Sequence, residues 1–181
     1  MPNLDGLSRD RLAVRMVDLL TGDRGREYEY RALMTNLARL VDRSVVRYQE
    51  ASDYLDEWIE TRHLGNMSAQ FRGISAMEEC ITLVHRAGEY ADALAGRGVI
   101  DPALMPSAND RTPITDMRDA IQHLDDRILG KRKDKPPIRK GEPNFPSFGP
   151  TAVELGSQSL SYQSLSATIT ALHEAVGLPS D

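Results

Sequence analysis

The side chains in this chain best suited to chemistry are concentrated in one run, Arg118-Asp119-Ala120-Ile121-Gln122-His123, inside TPITDMRDAIQHLDDRILG. A guanidinium offers a planar fork of donors that matches the oxygens of a phosphate. An imidazole titrates near neutrality and can both take and return a proton. Asp119 precedes His123 by four residues, the spacing at which two side chains meet on a helix surface. Arginine, carboxylate and imidazole together could bind and cleave a phosphodiester without a metal ion.

The element that must position them reads as a helix. Thr112 is the expected cap and Pro113 the first helical residue, because proline's missing N–H costs nothing there. Ile114, Met117, Ile121, Leu124 and Ile128 recur at helical spacing as the core stripe, and Gly130 is the expected stop. At about 100° per residue, Arg118 falls roughly 90° from the core direction on one flank and His123 roughly 130° from it on the other. Asp119 points opposite to the core, and Asp126 lies close to it in direction. Arg127 lies near His123, one turn on. Arg118 and His123 therefore straddle the outward face and need a group held above the helix to bring them together.

The rest of the chain is mostly helical. Leu7, Leu12, Val14, Val17 and Leu20 suggest a first amphipathic helix, with Asp5 or Ser8 as cap and Gly22 as stop. From Tyr30 through Leu37, Ser44 or Val45, Tyr48 and Leu55 to Trp58, apolar positions recur every three or four residues with no Pro or Gly between them. That predicts one long helix or two abutting helices kinked near Ser44. Arg43 and Arg47 with Glu50 read as part of its solvated face. His63-Leu64-Gly65-Asn66 breaks the pattern, and Ser68 is the expected cap of a further helix. Phe71, Ile74, Met77, Ile81, Val84, Tyr90 and Leu94 mark that helix's buried face. Gly73 and Gly88 weaken it by up to roughly 1 kcal/mol each relative to alanine, which close helix contact would explain. Residues 99–112 read as a surface loop.

Beyond Gly130 the composition shifts. KRKDKPPIRK carries six basic residues in ten, and residues 131–150 hold five prolines, so no helix is expected there. Ala152–Leu155 and Leu160–Tyr162 suggest a short β-hairpin around Gly156-Ser157. Leu165, Ile169, Leu172 and Val176 space out a short C-terminal helix. The expected fold is all-α: an up-down antiparallel bundle of four to five helices in residues 1–130, a basic Pro-rich loop at 131–150, and a C-terminal annex of hairpin and helix at 151–181.

Composition limits the function classes. A chain of 181 residues with 40% hydrophobic and 27% charged residues is ordinary for a soluble globular protein. At net charge −5 the molecule as a whole is not drawn to nucleic acid or anionic membrane, so RNA would need a local basic patch. The single cysteine, Cys80, falls in an apolar helical stretch, excludes an internal disulfide, and reads as a small hydrophobe rather than a nucleophile. No stretch approaches a membrane span, and MPNLDGLSRDRL lacks the apolar core of a signal peptide, so the cytoplasm is the expected location. The four histidines lack the short spacing of a local zinc site, and the paired Glu-x-x-His motifs of a di-iron bundle are missing, so neither a metal nor a cofactor is expected. His85, next to Arg86, reads as a core-edge residue able to support the site. His173 is expected at the surface, and His63 in the turn between helices.

R-D-x-x-x-H near the start of a late bundle helix resembles the Arg-x4–6-His motif of the HEPN superfamily, including the polar residue after the arginine. The helical architecture of residues 1–130 is similar to HEPN domains as well. The resemblance implies a bundle that dimerises through this region. It also implies a metal-independent endoribonuclease of defence or toxin–antitoxin systems, with RNA as substrate and a cognate antitoxin or regulatory protein as partner. Carried over, Arg118 matches the motif arginine, Asp119 the polar residue and His123 the motif histidine, with products ending in a 2′,3′-cyclic phosphate and a 5′-hydroxyl. Arg127, Lys131, Arg132 and Lys133 would track the RNA backbone. Other members of the superfamily are non-catalytic binding modules, the alternative function. In the plainer reading of the residues, Arg118 and His123 belong to a charged surface paired with Asp119, Asp125, Asp126 and Arg127. Asp116, Asp119, Asp125 and Asp126 all repel phosphate.

Overall fold

The computed structural model describes residues 1–4, 7, 28–65, 67–131, 141–142 and 144–177. The expected first helix, from Leu12 through Leu20, lies outside the described residues. So do residues 132–140 of the expected basic loop, including Arg132 and Lys133. The described chain folds as an all-α bundle carrying a small antiparallel sheet, and no described helix is long and apolar enough to cross a membrane.

Helix α1 (Tyr28–Thr61) is a single helix of 34 residues, with no second helix starting at Ser44. The Ser44 hydroxyl is buried and donates back to the Val41 carbonyl at 2.8 Å, so this polar group needs no break in the helix. A 3-10 turn at Arg62–Leu64 and left-handed Gly65 reverse the chain, and His63 is in that turn. Helix α2 (Met67–Ala95) returns antiparallel along α1. Its buried face follows the predicted stripe except at Phe71, which is more than half exposed, and at Tyr90, which is only partly buried.

Helix α3 (Ala108–Gln122) starts earlier than predicted. Ser107, not Thr112, is its cap: the Ser107 hydroxyl accepts from the Asp110 N–H at 3.2 Å and donates to the Asp110 carboxylate at 2.6 Å. Thr112 instead donates to the Ala108 carbonyl, and Pro113 lies inside the helix. The carbonyl deprived of its donor by Pro113 belongs to exposed Asn109, where water can reach it. The helix also ends earlier than predicted. It stops at Gln122, and a short helix α4 (Leu124–Ile128) follows, ended by left-handed Gly130. Ile128, expected in the core stripe, is exposed, and Arg127 is buried in its place.

The hairpin forms as the spacing predicts, in a sheet of three strands. Strands β2 (Ala152–Leu155) and β3 (Gln158–Ser161) pair antiparallel, with Leu155 opposite Gln158 across the two-residue loop Gly156-Ser157. Only Gly156 takes positive φ, as a glycine-first hairpin turn requires. A short edge strand β1 (Ser147–Phe148) adds to β2. Helix α5 (Tyr162–Gly177) then runs into the bundle, packing on α1, α2 and α3 and sharing one hydrophobic core with them. His173, expected at the surface, is buried there.

The two mid-helix glycines of α2 have different neighbours. A Cβ on Gly73 would lie 2.8 Å from the Phe148 ring and 3.2 Å from Tyr54 Cβ, so Gly73 makes room for a strand β1 side chain. A Cβ on Gly88 would meet the Arg111 guanidinium no closer than 3.6 Å, an ordinary contact. Gly88→Ala is therefore expected to raise stability by up to about 1 kcal/mol through helix propensity. Gly73→Ala is expected to lower it by about 1–3 kcal/mol through overpacking, despite the same propensity gain. Thermal unfolding of both variants checks this, and equal shifts in one direction would refute it.

Burial pushes the Cys80 thiol well above its ordinary range, and the thiol points at the Ser44 carbonyl at 3.4 Å. Burial also raises the phenols of Tyr48 and Tyr162. Each of these groups is neutral when protonated, so the folded state holds protons that the unfolded chain gives up at high pH, and stability falls as pH rises. For Cys80 the loss begins near the unfolded thiol pKa of about 8.5 and approaches about 1.4 kcal/mol per pH unit. Denaturant titrations between pH 8 and 10 are expected to show that slope, and Cys80→Ala to flatten it. An identical slope in the variant would exclude Cys80 as a source.

Candidate functional site

His123 occupies the joint between α3 and α4. Its backbone, at φ −113° and ψ 26°, is outside the helical region. Hydrogen bonding still carries across the joint: the His123 N–H donates to the Asp119 carbonyl at 3.1 Å, and the Arg127 N–H donates to the His123 carbonyl at 3.0 Å. No glycine or proline lies between Ile114 and Leu129 to announce the break. The change of direction turns Arg127 inward and Ile128 outward.

The imidazole is one-third exposed and flanked by two carboxylates. Nε2 is 3.6 Å from Asp119 Oδ1, and Nδ1 is 3.9 Å from Asp126 Oδ2. Both separations exceed hydrogen-bond length, so these are loose ion-pair distances. Asp126 is the more exposed of the two acids, at 48% against 26% for Asp119. Asp119 is thus better placed to hold the ring, and Asp126 to swing away from it. The sequence placed Asp119 correctly, one turn before the histidine. Asp126, which the plainer reading named among the charged partners, becomes the second carboxylate on the ring at this joint.

Arg118 is half-buried on the preceding turn and stands outside this His–Asp–Asp cluster. Arg127 does not join the cluster at the surface. Its side chain is only 3% exposed, and its Nε is buried without a hydrogen-bond partner. Lys131 is exposed at the end of the described stretch. His85 does not support His123. It lines a small cleft with Gly88, Pro106, Arg111, Thr115 and Thr168, and Thr115 lies eight residues before His123, about 12 Å along the helix axis. In that cleft the Arg111 guanidinium is forked onto the Asp92 carboxylate.

Among the described residues, no three His, Cys, Asp or Glu side chains converge as a metal-binding group. Around His123 the reason is geometric, because the two carboxylates address opposite nitrogens of one ring.

A second constellation escaped the sequence reading because its members are far apart in the chain. Arg43 and Arg47 reach across from α1 to Glu79 on α2, with the Arg47 Nε 2.8 Å from the carboxylate, and Arg47 also bonds Glu50. The run had looked like a solvated face of α1. Only the α1–α2 packing register brings Glu79 to it.

A buried charge with an unpartnered nitrogen costs stability, so Arg127→Met, which keeps the length and removes the charge, is expected to be neutral or stabilising by about 1–4 kcal/mol. A lower Tm in this variant would mean that the guanidinium itself holds α4 in place. Comparison with models of known protein families, with curated proteins and with solved structures finds no match.

Proposed function

We propose that the protein is a metal-independent endoribonuclease of HEPN type that cleaves RNA through attack of the 2′-hydroxyl, acting as a homodimer in a defence or toxin–antitoxin setting. The observation that carries this reading is the one-third-exposed His123 ring at the α3–α4 joint, with Asp119 behind one nitrogen and the more exposed Asp126 carboxylate before the other. With Asp119 orienting Nε2, Nδ1 is the nitrogen left for substrate once Asp126 swings aside.

RNA carries its own nucleophile. His123 of one copy takes the 2′-hydroxyl proton as that oxygen attacks phosphorus. Arg118 spreads donors over the charge that builds on the phosphorane oxygens. The bond from phosphorus to the 5′-oxygen breaks, and the histidine of the second copy protonates the leaving oxygen. A two-fold interface supplies both histidines from one residue type.

A non-catalytic binding module is the second reading. The observation in its favour is the same pair of carboxylates, which place negative charge where a phosphate must approach.

Incubation of the purified protein with mixed RNA in EDTA tests the two. Cleavage to 2′,3′-cyclic phosphate and 5′-hydroxyl ends is expected. His123→Ala and Arg118→Ala are each expected to slow it by about 100-fold or more, with the helical circular dichroism unchanged. No cleavage by the wild type across diverse RNAs would leave the binding module as the function, and cleavage undiminished in His123→Ala would remove His123 from the catalytic role.

A further inference from the structure

A second site lies on the outer face of the α1–α2 hairpin. Arg47, Glu50 and Tyr54 of α1 and Phe71, Arg72, Ser75, Ala76 and Glu79 of α2 line an open groove of about 460 Å3. This falls within the size range of small-ligand sites. One end is aromatic. The Phe71 ring is 57% exposed, and the Arg72 guanidinium lies 5.9 Å from the centre of the Tyr54 ring. The other end is a fixed array of guanidiniums: Arg47 spans Glu50 and Glu79, and Arg43 meets Glu79. Small Ser75 and Ala76 lie between the two ends.

We propose that this groove binds one nucleotide unit of single-stranded RNA, with the base stacked at Phe71 and Tyr54 and its phosphate at Arg47 and Arg72. Aromatic faces beside arginines are the means by which single strands are held without sequence readout. The charge balance selects the ligand. The lining itself is balanced, Arg47 and Arg72 against Glu50 and Glu79, and Arg43, paired with Glu79 outside the lining, brings the cluster to one positive charge on a chain whose total is −5. One surplus charge suits the single negative charge of a phosphodiester and not a polyphosphate. The two glutamates fix the Arg47 guanidinium through Nε and Nη1, which leaves its Nη2 for the incoming oxygen. The groove extends the RNA reading given above, and its test can fail independently of that reading.

The probe is a short 2′-O-methyl oligoribonucleotide containing 2-aminopurine, which cannot be cut by 2′-hydroxyl attack, with 5′-AMP as competitor. The wild type is expected to bind it with a change in 2-aminopurine emission and a Kd that rises with salt. Phe71→Ala and Arg72→Ala, both at exposed positions, are each expected to weaken binding by roughly 5- to 150-fold, the range for loss of one stacking partner. Arg97→Ala, at an exposed position outside both sites, is expected to keep Kd within twofold. Competition by 5′-AMP at the oligonucleotide's own Kd would identify free nucleotide as the ligand source, and weaker competition would identify the strand. Absence of binding by the wild type overturns the proposal, as does binding unaltered in both groove variants. Groove-dependent binding without cleavage would sink the catalytic reading alone, and cleavage with groove-independent binding would sink the groove alone.

Discussion

The structure depends on covering its last helix. Nine of the sixteen residues of α5 are buried, a face too wide for any one neighbour to cover, so α1, α2 and α3 pack around it. Its buried Ser166 and Thr168 are satisfied within the helix. The Ser166 hydroxyl donates to the Gln163 carbonyl at 3.0 Å, and Thr168 to the Ser164 carbonyl at 2.9 Å. They add no unpaired group to the interior. The hairpin before α5 enters the same core through Val153, Leu155 and Leu160, and the Tyr162 hydroxyl ties the helix start to the Gly149 carbonyl at 3.1 Å. What looks in sequence like an annex at the end of the chain is the centre of the packing.

The parts of this fold that were legible are those in which one residue type has one local solution. Gly156-Ser157 between two apolar runs makes a hairpin, and unbroken three-four periodicity from Tyr30 to Trp58 makes a long helix. Where two residues compete for one role, local chemistry did not decide. Ser107 and Thr112 are both competent caps, and Ser107 prevails because Asp110 completes a reciprocal pair with it. The α3–α4 joint was not legible, because no residue near His123 is a helix breaker. Burial of His173 and Arg127 was equally hidden, since both look solvated from their neighbours in sequence. At the candidate site, the four-residue spacing from Asp119 to His123 was readable because it is local. The Arg47–Glu79 contact, which joins two helices across 32 positions, was not.

The two candidate sites set charge against charge in opposite ways. At His123 the surroundings are acidic, and the imidazole is the only group of the cluster able to carry positive charge. On the hairpin face, carboxylates serve as struts for guanidiniums, and the balance stays positive. A chain with a net negative charge can engage a phosphate only where such local accounts differ from the whole.

The notch at Gly73 has a wider meaning. The Phe148 ring fills the space that a side chain at position 73 would take, against the backbone of α2 and the Cβ of Tyr54. This peg fastens the small sheet to the middle of the helical hairpin, so the size of residue 73 and the bulk of residue 148 amount to one variable written at two places in the chain. Neither can drift alone. In any related chain that keeps this architecture, enlargement at the first position calls for a smaller ring or none at the second, a correlated change between residues 75 positions apart with no chemistry in common.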